Sequence, residues 1–335
     1  MTKTFKCCTI FFITSLWLVL MRMLFSFLNL SDNISSWLFS FLVQVVGMGL
    51  IPMLLYKYWV KEDIITGFSI KTKLPLSIYI IAIVLGFLLS YMTTGVSLVW
   101  QNLIALLGYT HTNNVGTIYS GAEVLIIQLI CTAVLPAIFE EITDRGLALQ
   151  MFKDIEDERV TIVLIAVLFG LLHQNIVQTG YTFVGGLVFA YLLIKTKSII
   201  PGVIIHFINN ALSVLNEYSS QKSGNLAKLQ NYLYGFINDH FLLALISWIV
   251  AAAAIVWLLK IVKEKAAKIN VSNVDNEFNY SPKKIEYIDD LFGITVRKNL
   301  SITSRAAWQE YAFLYATVIM TLATTLFTFI WGVWR

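Results

Sequence analysis

The chain has 335 residues, of which 58% are hydrophobic and 13% are charged, and its formal net charge is +4. Ordinary soluble domains carry about 25% charged residues, so this composition excludes a soluble globular protein and indicates a membrane protein. We expect the lipid bilayer as a partner and no nucleic acid. The three cysteines, Cys7, Cys8 and Cys131, lie in apolar segments without regular spacing, which argues against a disulfide framework or a zinc finger.

Apolar runs recur along the chain at about the length of membrane spans. A bilayer core about 30 Å thick requires roughly 20 mostly apolar helical residues. The sequence therefore predicts an all-α, polytopic membrane protein with about nine (8–9) transmembrane helices. The fifth to seventh runs are short, and we expect them to face protein or a water-filled cavity. The predicted spans are about 7–27, 37–56, 74–99, 122–150, 160–173, 182–194, 201–215, 241–262 and 306–334.

Lysine and arginine are concentrated in alternate loops. Because basic loops are retained in the cytoplasm, this pattern predicts a multi-pass protein of the cell membrane with a cytoplasmic N-terminus and an external C-terminus. A polar stretch of the chain, 263–305, then lies on the cytoplasmic side, and we expect a solvated linker with at most one surface helix. The basic loop residues are Lys3, Lys6, Lys57, Lys61, Lys71, Lys73, Lys153, Arg159, Lys195, Lys197, Lys260, Lys263, Lys265 and Lys268.

The fourth span contains a cluster of ionisable residues in "PAIFEEITDRGLALQ": Glu140, Glu141, Asp144 and Arg145. A charge at membrane depth costs about 2.5–3.5 kcal/mol on insertion scales, so it rarely persists without a partner or a task. Glu141 and Arg145 are four residues apart and are expected to form an ion pair. Glu140 and Asp144 share another helix face, where two like charges disfavour joint ionisation and suit one carboxylate to general-base work.

Two later apolar helices each carry one histidine. His173 ends "LFGLLHQN" with Phe169 four residues before it, and "IIPGVIIHFINNALSVL" places Asn210 four residues after His206, whereas Asn209 is expected to point elsewhere. If these helices face the glutamates, they enclose a polar chamber inside the membrane.

Two kinds of hydrolytic chemistry fit such a chamber. A carboxylate and an imidazole can activate water while a second imidazole and an amide hold an oxyanion. Alternatively, His173, His206 and a glutamate can bind zinc with one open position. Two non-catalytic interpretations remain beside them, since buried histidines often join membrane helices by hydrogen bonds and ionisable residues at depth also mark transport routes.

Together, the three motifs resemble one protein family. "EEITDRG" reads as EExxxR, "FGLLH" as FxxxH and "HFINN" as HxxxN, and their order and spacing are similar to the CPBP intramembrane proteases, which include type II CAAX prenyl endopeptidases and Abi (bacteriocin self-immunity) proteins. The resemblance covers about residues 122–215. This chain departs from the family at Asp144, where an aromatic residue is usual before the motif arginine.

The resemblance implies a role for each matching residue. Glu140 is expected to activate water with the help of His173, and His206 and Asn210 to stabilise the oxyanion, unless His206 is a zinc ligand. The supporting residues, which hold the site in register, are Glu141, Arg145 and Phe169.

The chain then divides into five parts. The predicted boundaries are 1–118 for the N-terminal transmembrane helices, 119–219 for a CPBP-like catalytic core, 220–262 for an outer loop and a transmembrane helix, 263–305 for the cytoplasmic segment and 306–335 for the last transmembrane helix.

We therefore expect a membrane-embedded endopeptidase that cuts peptide or membrane-protein substrates. The first alternative is a non-catalytic membrane scaffold or bacteriocin-immunity protein, whose phenotype survives Glu140→Gln. The second is a transporter, which requires paired discontinuous helices from an internal repeat; the sequence has no such repeat. The composition, rich in Asn, Lys and Ile, favours a bacterial protein, in which prenylated substrates are not expected.

Overall fold

A computed structural model gives the fold. The structure describes residues 1–28, 32–70, 73–110, 116–155, 157–272, 287–289, 295–297 and 304–334. The helices in chain order are α1 (Lys3–Leu28), α2 (Asn33–Val60), α3 (Ile64–Gly67), α4 (Leu76–Leu106), α5 (Ala122–Phe152), α6 (Glu158–Leu172), α7 (Ile176–Thr196), α8 (Ile200–Gln221), α9 (Asn225–Asp239), α10 (Phe241–Ser272) and α11 (Ser304–Val333). The described strands, β1 (Tyr287–Asp289) and β2 (Thr295–Arg297), pair antiparallel.

The predicted helical class is confirmed, but the count of nine spans is not. Each predicted span corresponds to one helix, yet only seven of the described helices are long and apolar enough to cross a membrane: α1, α2, α4, α5, α7, α10 and α11. Of the other two, α6 has 15 residues, too few for a bilayer core. The 22 residues of α8 include a histidine and several asparagines, which lower its mean hydropathy.

Two differences from prediction concern polar stretches. The predicted outer loop contains an amphipathic helix, α9, which begins after Gly224 and ends at Asp239. In the predicted cytoplasmic segment 263–305, α10 continues to Ser272, the two short strands follow, and α11 begins at Ser304; the rest of that segment lies outside the described residues.

Contacts at one end of the bundle bring several of the basic loops together. Lys6 Nζ, near the start of α1, donates a hydrogen bond to the carbonyl oxygen of Trp59 at 2.9 Å, and Lys3 pairs with Glu62. Lys195 near the end of α7 pairs with Glu158 at the start of α6. We call this the basic end of the bundle. The side of the membrane on which it lies stays a prediction.

Two long helices contain π-helical turns, which are wider than α-helical ones. In α2 these turns are Leu42–Leu50 and Tyr56–Val60, and in α5 they are Ile130–Val134 and Glu141–Leu147. A proline lies just beyond the first turn in each helix, Pro52 and Pro136. Because proline lacks the N–H that closes an α-helical turn, a widened turn before it is the expected local adaptation.

Buried apolar side chains form two main clusters. The first joins α1, α2, α5 and α6 through residues such as Ile10, Leu147 and Ile165. The second joins α4, α7, α8 and α10 through residues such as Leu85 and Ile205. Successive residues of α6 belong to different clusters, Leu168 to the first and Phe169 to the second. Helix α6 therefore lies where the two clusters meet, and the candidate site lies beside Phe169 at this boundary.

The helices approach closely at small residues. A Cβ atom added to Gly186 of α7 would lie 2.9 Å from the Cα of Ala166 in α6, so only glycine permits this contact. In lipid, van der Waals packing replaces much of the hydrophobic driving force between helices. The outward faces carry large exposed apolar side chains, for example Phe87, Ile249 and Ile319, as a lipid-facing surface requires.

Candidate active site

The charged motif of α5 occupies its second π-helical turn. Glu140 ends an α-helical stretch, and the turn Glu141–Leu147 follows it directly. All seven residues of this turn are buried, including Glu141, Asp144 and Arg145. Single π-helical turns occur frequently at functional sites in proteins, and this one turns three ionisable side chains into the protein interior.

One oxygen of the Glu140 carboxylate is held and the other is free. Gln44 Nε2, from the first π-helical turn of α2, donates a hydrogen bond of 2.7 Å to Glu140 Oε1. Glu140 Oε2 is buried without a hydrogen-bond partner among the described residues and lies 3.8 Å from His206 Nε2. This arrangement fixes the plane of the carboxylate and leaves one oxygen for a water molecule.

Glu141 connects its own helix to α8. The predicted ion pair is present, with Arg145 Nη1 3.0 Å from Glu141 Oε1 and both side chains fully buried. His206 Nδ1 lies 3.1 Å from the same oxygen. A Cβ atom added to Gly202 would lie 2.7 Å from Glu141 Oε2, so the glycine lets α8 approach the carboxylate.

Two aromatic rings enclose the guanidinium of Arg145. Its Cζ atom lies 3.8 Å from the ring centroid of Phe169 and 4.7 Å from that of Phe189. A cation over a desolvated aromatic face gains about 2 kcal/mol or more. Phe169 thus supports the site through its ring. Phe189 is a second aromatic partner of Arg145 and lies between the second and third motifs in the sequence.

The contact of His173 with the backbone determines its tautomer. Its Nδ1 lies 2.8 Å from the carbonyl oxygen of Phe169. Because a carbonyl oxygen only accepts hydrogen bonds, Nδ1 must carry the proton of the neutral ring, which leaves the lone pair on Nε2. His173 therefore presents a basic nitrogen to the cavity that it lines.

His206 lies between the two glutamates and against the aromatic pair. Its ring is stacked on Phe189, with centroids 5.6 Å apart and planes 19° apart, and meets the edge of Phe169 at 5.9 Å. The Glu141 carboxylate accepts from Nδ1, so Nε2 is directed toward the oxygen of Glu140 that has no partner.

A cavity of about 870 Å³ brings together the candidate residues of all three motifs. Glu140, His173, His206 and Asn210 all line it, as does Phe169. The predicted polar chamber between the helices is therefore present. Asn209 also lines the cavity, so the prediction that it points elsewhere was wrong; neighbouring positions of α8 both face a cavity this wide.

Asp144 does not share this cavity with Glu140. It is 2% exposed, its Oδ2 lies 3.8 Å from Arg145 Nη1, and it is not among the residues that line the cavity. That Glu140 and Asp144 share one helix face stays a prediction, because a spacing of four residues keeps two side chains near one face in a π-helical turn as in an α-helical one.

The sequence interpretation missed Gln44, which contacts the candidate catalytic carboxylate from a helix without a recognised motif. Its only sequence signal is an amide within the apolar run "FLVQVVGMGL". A buried amide in a membrane helix needs a hydrogen-bonding partner, but the sequence does not indicate which helix supplies it.

We expect Gln44→Leu to lower kcat/KM for the proposed reaction about tenfold, because the Glu140 carboxylate loses the hydrogen bond that orients it. Steady-state kinetics measure the effect. Gln128→Leu is the matched control: it removes a 2.9 Å hydrogen bond from Trp37 Nε1, also between α2 and α5, but does not contact Glu140. Equal activities of the two variants contradict the assigned role.

The predicted zinc site is not assembled as a cluster. Within the described ranges, no group of three or more His, Cys, Asp and Glu side chains is arranged to hold a metal ion. The hydrogen-bonding contacts of His173 and His206 engage Nδ1 and leave both Nε2 atoms for other ligands, as in metal-binding histidines. Zinc binding by His173 and His206 therefore stays a prediction.

The comparison with protein families agrees with this geometry. Residues 122–212, from the start of α5 to the middle of α8, match the family model described as "Type II CAAX prenyl endopeptidase Rce1-like". No curated protein and no solved structure matches the chain. The matched residues contain all three motifs, including Glu140, His173 and His206 of the cavity. The resemblance of this multi-pass membrane protein to the CPBP, or type II CAAX, family of intramembrane proteases is thus confirmed over residues 122–212.

Proposed function

We propose that the protein is an intramembrane endopeptidase that hydrolyses peptide bonds of membrane-associated peptides or proteins with a water molecule activated by Glu140 and His173. One observation carries the proposal: the buried Glu140 carboxylate has one oxygen held by Gln44 and the other free, inside a cavity lined by both motif histidines. The family match over the same helices supports this reaction class.

Glu140 is the general base. Its free Oε2 accepts a proton from water as the water oxygen attacks the carbonyl carbon of the substrate. The lone pair on Nε2 of His173 accepts a hydrogen bond from the same water and directs its oxygen. The proton held by Glu140 then passes to the leaving amine, so the C–N bond breaks and the carboxylate is regenerated.

His206 and Asn210 stabilise the tetrahedral intermediate. In its protonated form, His206 donates Nδ1–H to Glu141 and presents Nε2–H to the cavity, while the Asn210 amide supplies a second donor. Preorganised donors at a developing oxyanion typically contribute about 10²–10³-fold each to kcat. The supporting residues act through His206, because they fix the position of its ring; they are Glu141, Arg145 and Phe169. No step of this mechanism passes through a metal.

Hydrolysis in H₂¹⁸O tests the proposal. The purified full-length chain in lipid vesicles is incubated with a library of internally quenched fluorescent peptides, and the products are analysed by mass spectrometry. The expected result is cleavage of a subset of peptides, with one ¹⁸O atom in each new carboxyl group. Absence of turnover across the library, or products without label, contradicts the proposed function.

A further inference from the structure

A stripe of hydrogen-bonding side chains extends from His206 along α8. Asn209, Ser213 and Asn216 follow at positions i, i+4 and i+7, which lie on one helix face, and all three line the same cavity as His206. Ser213 and Asn216 lie beyond the residues that match the family model, which end at 212. We call Asn209, Ser213 and Asn216 the amide stripe.

Two acceptors of the amide stripe have no partner in the protein. Asn209 Oδ1 and Asn216 Oδ1 are buried, and neither atom has a hydrogen-bond partner within the part of the chain that the structure describes. A buried acceptor that stays unpaired costs free energy, so a polar group that enters the cavity and donates to it is stabilised. A polypeptide supplies such donors at regular intervals through its backbone N–H groups.

The dimensions of the amide stripe fit an extended chain. Asn209 and Asn216 are seven residues apart on a helix, which corresponds to about 10 Å along its axis. An extended peptide advances about 3.3 Å per residue. The stripe is therefore as long as about three substrate residues, beginning beside the candidate catalytic residue His206.

Helix α9 contributes apolar side chains to the same cavity. Leu226, Leu229 and Leu233 line it at positions i, i+3 and i+7, together with the polar Gln230, and Ser219 Oγ accepts a hydrogen bond of 2.9 Å from Ala227 N, which ties the start of α9 to α8. An extended chain in this cavity can donate its backbone N–H groups to α8 and place apolar side chains against the leucines of α9, as in other modes of extended-peptide recognition.

We propose that the amide stripe is a substrate subsite that binds the backbone of an extended peptide, about three residues on one side of the bond that is cut. This inference rests on the proposed endopeptidase activity and names the part of the substrate that the subsite binds.

The test combines a change in the peptide with a change in the protein. In a peptide cleaved by the wild type, each backbone amide near the cut is replaced in turn by an ester, which removes one N–H donor. We expect about a tenfold loss of kcat/KM at one or two positions within three residues of the cut, because one hydrogen bond is lost. In the Asn216→Leu variant, the ester at one of these positions is expected to cause no further loss of kcat/KM, because the hydrogen bond that the ester removes is already absent.

The ester series alone decides the proposal if the variant does not fold. Asn102→Leu is the matched control, because Asn102 is exposed on α4 and, among the described residues, donates to the carbonyl oxygen of Leu98; it is expected to retain the full ester effect. Equal cleavage of all esters overturns the subsite while leaving the protease activity intact. Absence of any wild-type cleavage instead contradicts the activity itself.

Discussion

Replacement of Glu140 by glutamine is expected to lower kcat for peptide hydrolysis by about 10²–10⁴-fold, the usual contribution of a general base. Glutamine is nearly isosteric with glutamate but does not accept the proton of the attacking water. Since Glu140 Oε2 has no hydrogen-bond partner in the described residues, the change disturbs few contacts, and the protein should remain folded.

Peptide cleavage by the purified variant in vesicles measures this effect. Glu123→Gln is the matched control because Glu123 lies in the first turn of the same helix, α5, and is exposed; its activity is expected to equal that of the wild type. Full activity of Glu140→Gln contradicts the mechanism and favours a base elsewhere in the cavity.

The largest expected loss of stability follows from Arg145→Leu. The guanidinium is fully buried, pairs with Glu141 at 3.0 Å and lies between the rings of Phe169 and Phe189. Removal of one partner from a buried ion pair leaves the other charge uncompensated and typically costs about 3–5 kcal/mol. We expect a decrease of this size in the free energy of unfolding, accompanied by loss of activity, because Glu141 then no longer orients His206.

Unfolding by increasing SDS in mixed micelles measures the change. Arg159→Leu is the control: Arg159 is exposed at the start of α6, and substitutions at such surface positions usually change stability by less than about 0.5 kcal/mol. If both variants unfold at the same SDS fraction, the buried pair does not stabilise the fold in the way we infer.

The lengths of the apolar runs were sufficient to predict the helices, and the motifs were sufficient to predict that the site residues lie together. The nine predicted spans each correspond to a helix, and the three motifs converge on one cavity. The count of membrane-crossing helices was not predictable in this way, because apolar runs also occur in helices that are too short, as α6 is, or too polar, as α8 is, to meet the length and hydropathy of a membrane span.

Other features escaped prediction because they depend on contacts between distant segments or on local backbone geometry. Gln44 and Glu140 are 96 positions apart, and an amide in an apolar run does not indicate its partner. The π-helical turn Glu141–Leu147 is a local widening of the helix, and the motif spacing does not indicate it. α9 was interpreted as a loop, because polar residues alternate with its apolar ones and the stretch is too polar to be recognised as a membrane span.

The shared contact of Glu141 with Arg145 and His206 has a consequence during biosynthesis. The oxygen that orients His206 belongs to α5, whereas the amide that orients Glu140 belongs to α2. Under the proposed function, a chain that has emerged from the ribosome only as far as α7 lacks His206 and Asn210, so it has no oxyanion donors from α8. On this proposal, proteolytic activity begins only after α8 has joined the bundle.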